Sequence, residues 1–154
     1  MIKANVITKN LIWHRYIKNP NSYIDRKIKK LNNKNKKLKK SVYFTLLLSG
    51  EKEIKNLNKK FRNKNKATDV LSFPFYTKKE LYKRLINEKE IYLGDIIINL
   101  NKIKDKKKLK NFKTEFNNLW IHGLAHLFGY DHKKEKDFLA MKKIEKKYSS
   151  FIND

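Results

Sequence analysis

The segment Val42-Tyr43-Phe44-Thr45-Leu46-Leu47-Leu48 constrains this chain most, and Ile96-Ile97-Ile98 repeats its character. Runs of this length fall far short of the roughly 18 to 20 apolar residues that span a bilayer. Rich in β-branched and aromatic residues, the first run reads as a strand buried in a core. Such a strand needs neighbours and a cover, so residues 1–154 are expected to fold as one domain around a sheet. The same runs decide against a disordered polycation, which the charge would otherwise suggest. Lys and Arg number 39 against 15 Asp and Glu, a net charge of +24. Disordered chains lack apolar clusters and aromatics, whereas Phe, Tyr and Trp supply 12% of this one.

Residues 2 to 8 alternate as a first strand. Pro20-Asn21-Ser22 opens a helix over about 21–31, and the Lys/Asn run from Asn32 to Lys40 reads as a solvated helix end and loop. The buried strand closes at Ser49-Gly50, where Glu51 and Glu53 begin a helix with acid in its first turn. Ile54, Leu57, Asn58 and Phe61 share one face of that helix and are expected to bury it. After a polar connection, Asn63 to Thr68, the segment Asp69 to Phe75 reads as a short strand that Pro74 confines to an edge or ends. A helix over 78–89 and a strand over 92–99 follow, then a second lysine-rich loop over 102–110. Phe116, Leu119, Trp120, Leu124 and Leu127 give a helical period from Thr114 to Phe128, with Gly129 at the C-cap. A last helix over 134–148 carries Phe138, Met141, Ile144 and Tyr148. Elements mixed in this way mean α+β or α/β, and periodicity does not choose between them.

Composition narrows the chemistry. With no cysteine, disulfides, thiolate zinc sites, iron–sulfur clusters and thiol nucleophiles are excluded. The opening MIKANVITKN lacks the apolar core of a signal peptide, so a cytoplasmic location is expected. Only four of the 39 basic residues are Arg: Arg15, Arg26, Arg62 and Arg84. Lys, Asn and Ile share A/T-rich codons, so part of the charge can be compositional background. The other reading is a polyanionic partner, which a field of this sign attracts whatever its origin.

Three of the four histidines, His122, His126 and His132, fall within eleven residues. His122 and His126 are four apart on a helix, which stacks two rings on one face. Gly129 ends the helix, and His132 can then swing back as a third metal ligand. Three protein ligands leave a position open for water, the arrangement of a catalytic zinc site. The alternative is three ordinary surface histidines. The spacing overlaps the metalloprotease pattern H-E-x-x-H-x-x-G-x-x-H, but Gly123 stands where that pattern has its general base. A peptidase loses its proton acceptor.

WIHGLAHLFGYDH (Trp120 to His132) resembles the H-G-x-x-H-L-x-G-Y-D-H signature of the YbeY family of bacterial endoribonucleases and ribosomal RNA maturation factors. LNKKFRNKNKATDVLSFPF (Leu57 to Phe75) is similar to that family's L-N-x-x-x-R and T-D-V-L-S-F-P block, and LGDI (Leu93 to Ile96) to its third. The likeness covers residues 57–132 in family order. Ala125 stands where the signature usually has Leu, and Ala67 where Pro often precedes Thr-Asp. The resemblance implies an α+β fold with a small mixed sheet and one Zn2+ per chain on His122, His126 and His132. It also implies metal-dependent cleavage of ribosomal RNA, chiefly at the 3′ end of the small-subunit species, with ribosome quality control, and it puts Arg62 in the site.

The residues themselves agree with a role for Arg62, because a guanidinium grips phosphate oxygens in two places, as an ammonium cannot. Otherwise Arg62 is a surface residue ending a helix. Lys64, Lys66 and Thr68 are candidate substrate contacts, Thr68-Asp69 being equally able to cap a turn. Asp131 can orient a ligand histidine or simply make the turn. His14 beside Trp13, and Trp13, Tyr16 and Tyr23, are expected in packing rather than base stacking. The leading expectation is a zinc-dependent, single-strand endoribonuclease of the small ribosomal subunit, with no membrane partner and no DNA specificity. Its rivals are a ribosome-assembly RNA-binding factor with a structural metal, or a metallohydrolase of another substrate.

Overall fold

The computed structural model describes residues 1–36 and 38–153. The elements run β1 (Ile2–Thr8), a 3-10 turn (Leu11–Arg15), α1 (Pro20–Lys34), β2 (Ser41–Ser49), α2 (Glu51–Arg62), β3 (Val70–Pro74), α3 (Lys78–Asn87), β4 (Glu90–Asn99), a second 3-10 turn (Leu100–Lys102), α4 (Leu109–Leu127) and α5 (Glu135–Ile152). The sheet order is β1-β2-β4-β3. β1 and β4 run parallel to β2, and β3 runs antiparallel to β4 at the edge. A mixed sheet with helices gives the expected α+β fold, and Pro74 ends the edge strand as its missing N–H requires.

Local chemistry sets most boundaries. Pro20 opens α1 while the Asn19 side chain accepts from the Ser22 N–H. Thr77 and Glu80 form a reciprocal capping box on α3. α2 ends at Asn63, whose φ of 54° turns the chain.

Tertiary packing moves other boundaries. α4 starts at Leu109, inside the segment expected to be a lysine-rich loop, because Phe112 is fully buried against Trp13, Tyr16 and Phe116. α1 continues to Lys34, three residues beyond expectation. Leu31 is sealed in the core there, and the Asn32 side chain clamps the Ile2 N–H and carbonyl, both at 2.8 Å. α5 likewise runs on to a buried Ile152.

The main core lies between α1, α4, α5 and the sheet face carrying Val42, Phe44, Ile91, Leu93, Ile96 and Ile98. Trp13 and Tyr23 are buried in it with Tyr16 against it, as expected, but His14 is exposed, its Nδ1 3.1 Å from the Lys18 carbonyl. On the opposite face α2 covers a smaller cluster of Ile54, Leu71 and Ile97, with Leu57 packed against it. Phe61 departs from expectation. It is 60% exposed in the last turn of α2, in edge-to-face contact with Phe73 and with the Lys60 ammonium 5.3 Å from its ring centroid. Asn58 is buried instead, its Nδ2 donating to the Lys66 carbonyl at 2.8 Å and so tethering the loop after α2.

Candidate active site

α4 carries His122 and His126 one turn apart, their ring centroids 4.7 Å from each other. The helix then closes with Gly129 at φ +88°. The Gly129 N–H bonds the His126 carbonyl and the Tyr130 N–H reaches back to Ala125. That reversal returns His132 to within 5.1 Å of the His126 ring and 5.9 Å of the His122 ring. Gly123, the position a protease would give to its base, serves packing. A Cβ there would meet Ile96 Cγ2 at 2.7 Å, so glycine lets α4 seat directly on β4.

The imidazoles are held from behind. His122 Nδ1 contacts the Glu145 carboxylate, and His126 Nδ1 donates to the Tyr130 carbonyl at 3.0 Å. With each Nδ1 tied to an acceptor, both Nε2 atoms present lone pairs, and they face each other at 3.2 Å. Two lone pairs so close repel unless a cation lies between them. Nitrogen ligands at zinc distance on a tetrahedron are about 3.3–3.4 Å apart, so this pair has ligand spacing. Burial, then the neighbouring His122, lowers the His126 pKa, which favours the neutral, ligating form. His132 is half-exposed at the rim, and among the described residues no three His, Cys, Asp or Glu side chains stand together in a geometry that could hold an ion. The donor set, three imidazoles with a carboxylate behind one of them, fits a divalent ion with one position to spare.

Arg62 ends α2 beside this cluster. Its Nη2 donates to the Ser72 carbonyl at 3.2 Å, and its guanidinium carbon lies 5.9 Å from the Phe73 ring centroid. Arg62, Lys64, His126, Asp131 and His132 line one groove of about 910 Å³. Its charge is net positive, since Lys78 and Lys133 join Arg62 and Lys64 against Glu80 and Asp131. His122 opens on the adjoining cavity with Asp69 and Glu145.

Lys66 and Thr68 line neither cavity. The Lys66 carbonyl takes the Asn58 amide, and the Thr68 hydroxyl donates to the Val70 carbonyl at 3.0 Å. Asp69 accepts from the Val70 N–H, a turn role. Asp131 accepts from the His132 N–H at 2.7 Å, a turn contact, and lies 3.4 Å from that residue's Nδ1.

Sequence reasoning missed Glu145. The signal was present: it stands four residues after Met141 and three before Tyr148, an acid on the inward face of α5, only 14% exposed.

Comparison with known proteins identifies the family. A family model described as Endoribonuclease YbeY matches residues 12–153. A protein of Pelagibacter ubique named Endoribonuclease YbeY is 43% identical, covering 99% of this chain and 97% of its own. One of the same name from Buchnera aphidicola is 40% identical over 87% of this chain and 80% of its own. The solution structure of TM1509 from Thermotoga maritima superposes with a TM-score of 0.62 at 26% identity, covering 97% of this chain and 89% of the other. With the match running from the first 3-10 turn to the end of α5 and spanning every residue of the histidine–arginine groove, this chain belongs to the Endoribonuclease YbeY family.

Proposed function

We propose that this chain is a zinc-dependent endoribonuclease that cuts single-stranded ribosomal RNA in the cytoplasm, maturing the 3′ end of the small-subunit species and serving ribosome quality control. The observation that carries the reading is the facing Nε2 pair of His122 and His126, the second of which lines the groove with Arg62. His122, His126 and His132 would hold the ion, which when bound supplies Lewis acidity and an acidified water. The rest falls to the chain's own groups. Arg62, oriented by the Ser72 carbonyl, binds phosphate oxygens and offsets the charge that builds during cleavage. Lys64 adds a point charge beside it, and Glu145 and the Tyr130 carbonyl keep two imidazoles in the ligating tautomer. The test is to incubate metal-replete and chelated protein with ribosomal RNA fragments and map the cuts. The ends report the attacking group: a terminal 3′-hydroxyl or 5′-phosphate implies water, a 2′,3′-cyclic phosphate the RNA 2′-hydroxyl. Binding with a steep salt slope and no cleavage in either sample would leave an RNA-binding assembly factor instead.

Arg62→Ala is expected to stay folded and metal-loaded while cleavage falls at least tenfold, about 1.4 kcal/mol of barrier. RNA binding weakens less, since lysines supply most of the non-specific attraction. Arg62→Lys restores part of the rate, lacking the fork. Cleavage at the parent rate by Arg62→Ala would remove the residue from the chemistry.

Glu145→Gln is expected to lower zinc affinity by about 10- to 100-fold, read by competition with a chromophoric chelator, without unfolding α5. Parent affinity in that variant would make Glu145 a packing residue only.

A further inference from the structure

Only one face of the sheet is fully covered. On the other, α2 shields the end around Ile54, Leu71 and Ile97 and leaves the rest to solvent. Across that open part runs a row of side chains in register. Lys3 of β1 pairs with Tyr43 of β2, and Tyr43 with Tyr92 of β4. Beyond Pro74 the Phe75 N–H continues the ladder to the Leu93 carbonyl at 2.9 Å. Lys3, Tyr43 and Tyr92 are cross-strand partners and project to one face, which the Phe75 ring joins by its contact with Tyr92. The Tyr43 and Tyr92 ring centroids are 5.2 Å apart, and those of Tyr92 and Phe75 5.9 Å. Tyr43 is 43% and Phe75 65% exposed. The Tyr92 hydroxyl is tied to Thr45 at 3.0 Å and to Asp95, which fixes its ring. Phe75 also lines the groove of Arg62, His126 and His132, so the row and that groove are continuous.

We propose that Phe75, Tyr92 and Tyr43, with Lys3 at the far end, form a stacking platform for the bases of the single-stranded RNA whose backbone occupies the histidine–arginine groove. The inference rests on the RNA reading of that groove. Exposed rings in a contiguous row call for an occupant. Bases are flat and stack on aromatic rings whatever their sequence, while a cation at the row's end suits a phosphate. The net charge of +24 on the whole chain favours a polyanion as the occupant over a second copy of the chain.

The test is RNA binding by the metal-stripped full chain, followed by fluorescence anisotropy with a short oligouridylate and with an abasic strand of equal length. Tyr43→Ala/Phe75→Ala removes the two exposed rings, and Tyr82→Ala removes a 68% exposed ring on α3 that is not among the ring partners of the row. The double variant is expected to bind oligouridylate at least about tenfold more weakly, with Tyr82→Ala within about twofold of the parent. On the abasic strand all three proteins bind alike. If the double variant melts early, Tyr43→Ser alone is expected to show about a fivefold loss with the same base dependence. Parent affinity, or an equal loss on both strands, overturns the platform even where the parent cuts RNA at the histidines. A base-dependent loss upholds it even where no cut is found, the outcome that removes the nuclease reading alone. Self-association in sedimentation that the double variant abolishes assigns the row to a second copy and also overturns the proposal.

Discussion

His126→Ala protein is expected to purify with well under one zinc per chain and to show no cleavage of ribosomal RNA. His126 is the central ligand of the proposed site: its ring is the nearest neighbour of both His122 and His132. Removing it leaves two imidazoles that no longer share a partner, and a two-ligand site holds zinc poorly. Some stability goes too, because α4 is packed by Leu124 and Leu127 on either side of this position and the ion contributes binding energy to the folded state. The measurement is metal content by elemental analysis beside cleavage by the same preparation. Stoichiometric zinc in the variant would sink the ligand assignment, and cleavage at the parent rate without metal would sink zinc dependence.

Gly94→Ala is expected to destabilise the fold by about 3–5 kcal/mol, a large share of the roughly 5–15 kcal/mol available to a domain. Gly94 has φ +133°, a conformation that residues with a Cβ rarely adopt. A Cβ there would lie 2.1 Å from the Phe73 carbonyl oxygen and 3.0 Å from the Phe75 nitrogen, both backbone atoms that cannot rotate away. Relief therefore requires parting β3 from β4, where Pro74 pairs with Gly94. Loss of that pairing displaces Phe75 and the Ser72 carbonyl that holds Arg62, so activity falls with stability. Thermal melting is the check, with a midpoint lowered by about 10 °C. A variant within about 1 kcal/mol of the parent would show that the β3–β4 contact yields easily.

Which features the sequence revealed follows from the range of the forces involved. The strand over 42–48, the edge position implied by Pro74, the acid-started α2 and the helix-ending Gly129 were legible because each depends on neighbours within a few residues. The three histidines and Arg62 were legible because ligand spacing on a helix and an unusual Arg against a lysine background are local facts. Long-range burial decided the rest. Phe112 draws five lysine-flanked residues into α4, and Leu31 with Asn32 extends α1, although local composition favours a loop at both places. Phe61 has the period of a buried residue yet stays 60% exposed in the last turn of α2, against Phe73 of the edge strand.

By itself the sequence singled out three histidines as a candidate donor set and located the strands, because side-chain identity and local backbone preference are written in it. Only the tertiary structure decided that α5 places Glu145 behind His122, that Arg62 and two of the histidines share one groove, and that Tyr43 and Tyr92 stay uncovered beside Phe75. Those are distances between residues far apart in the chain, and they are set by which faces the core buries, which no local pattern records.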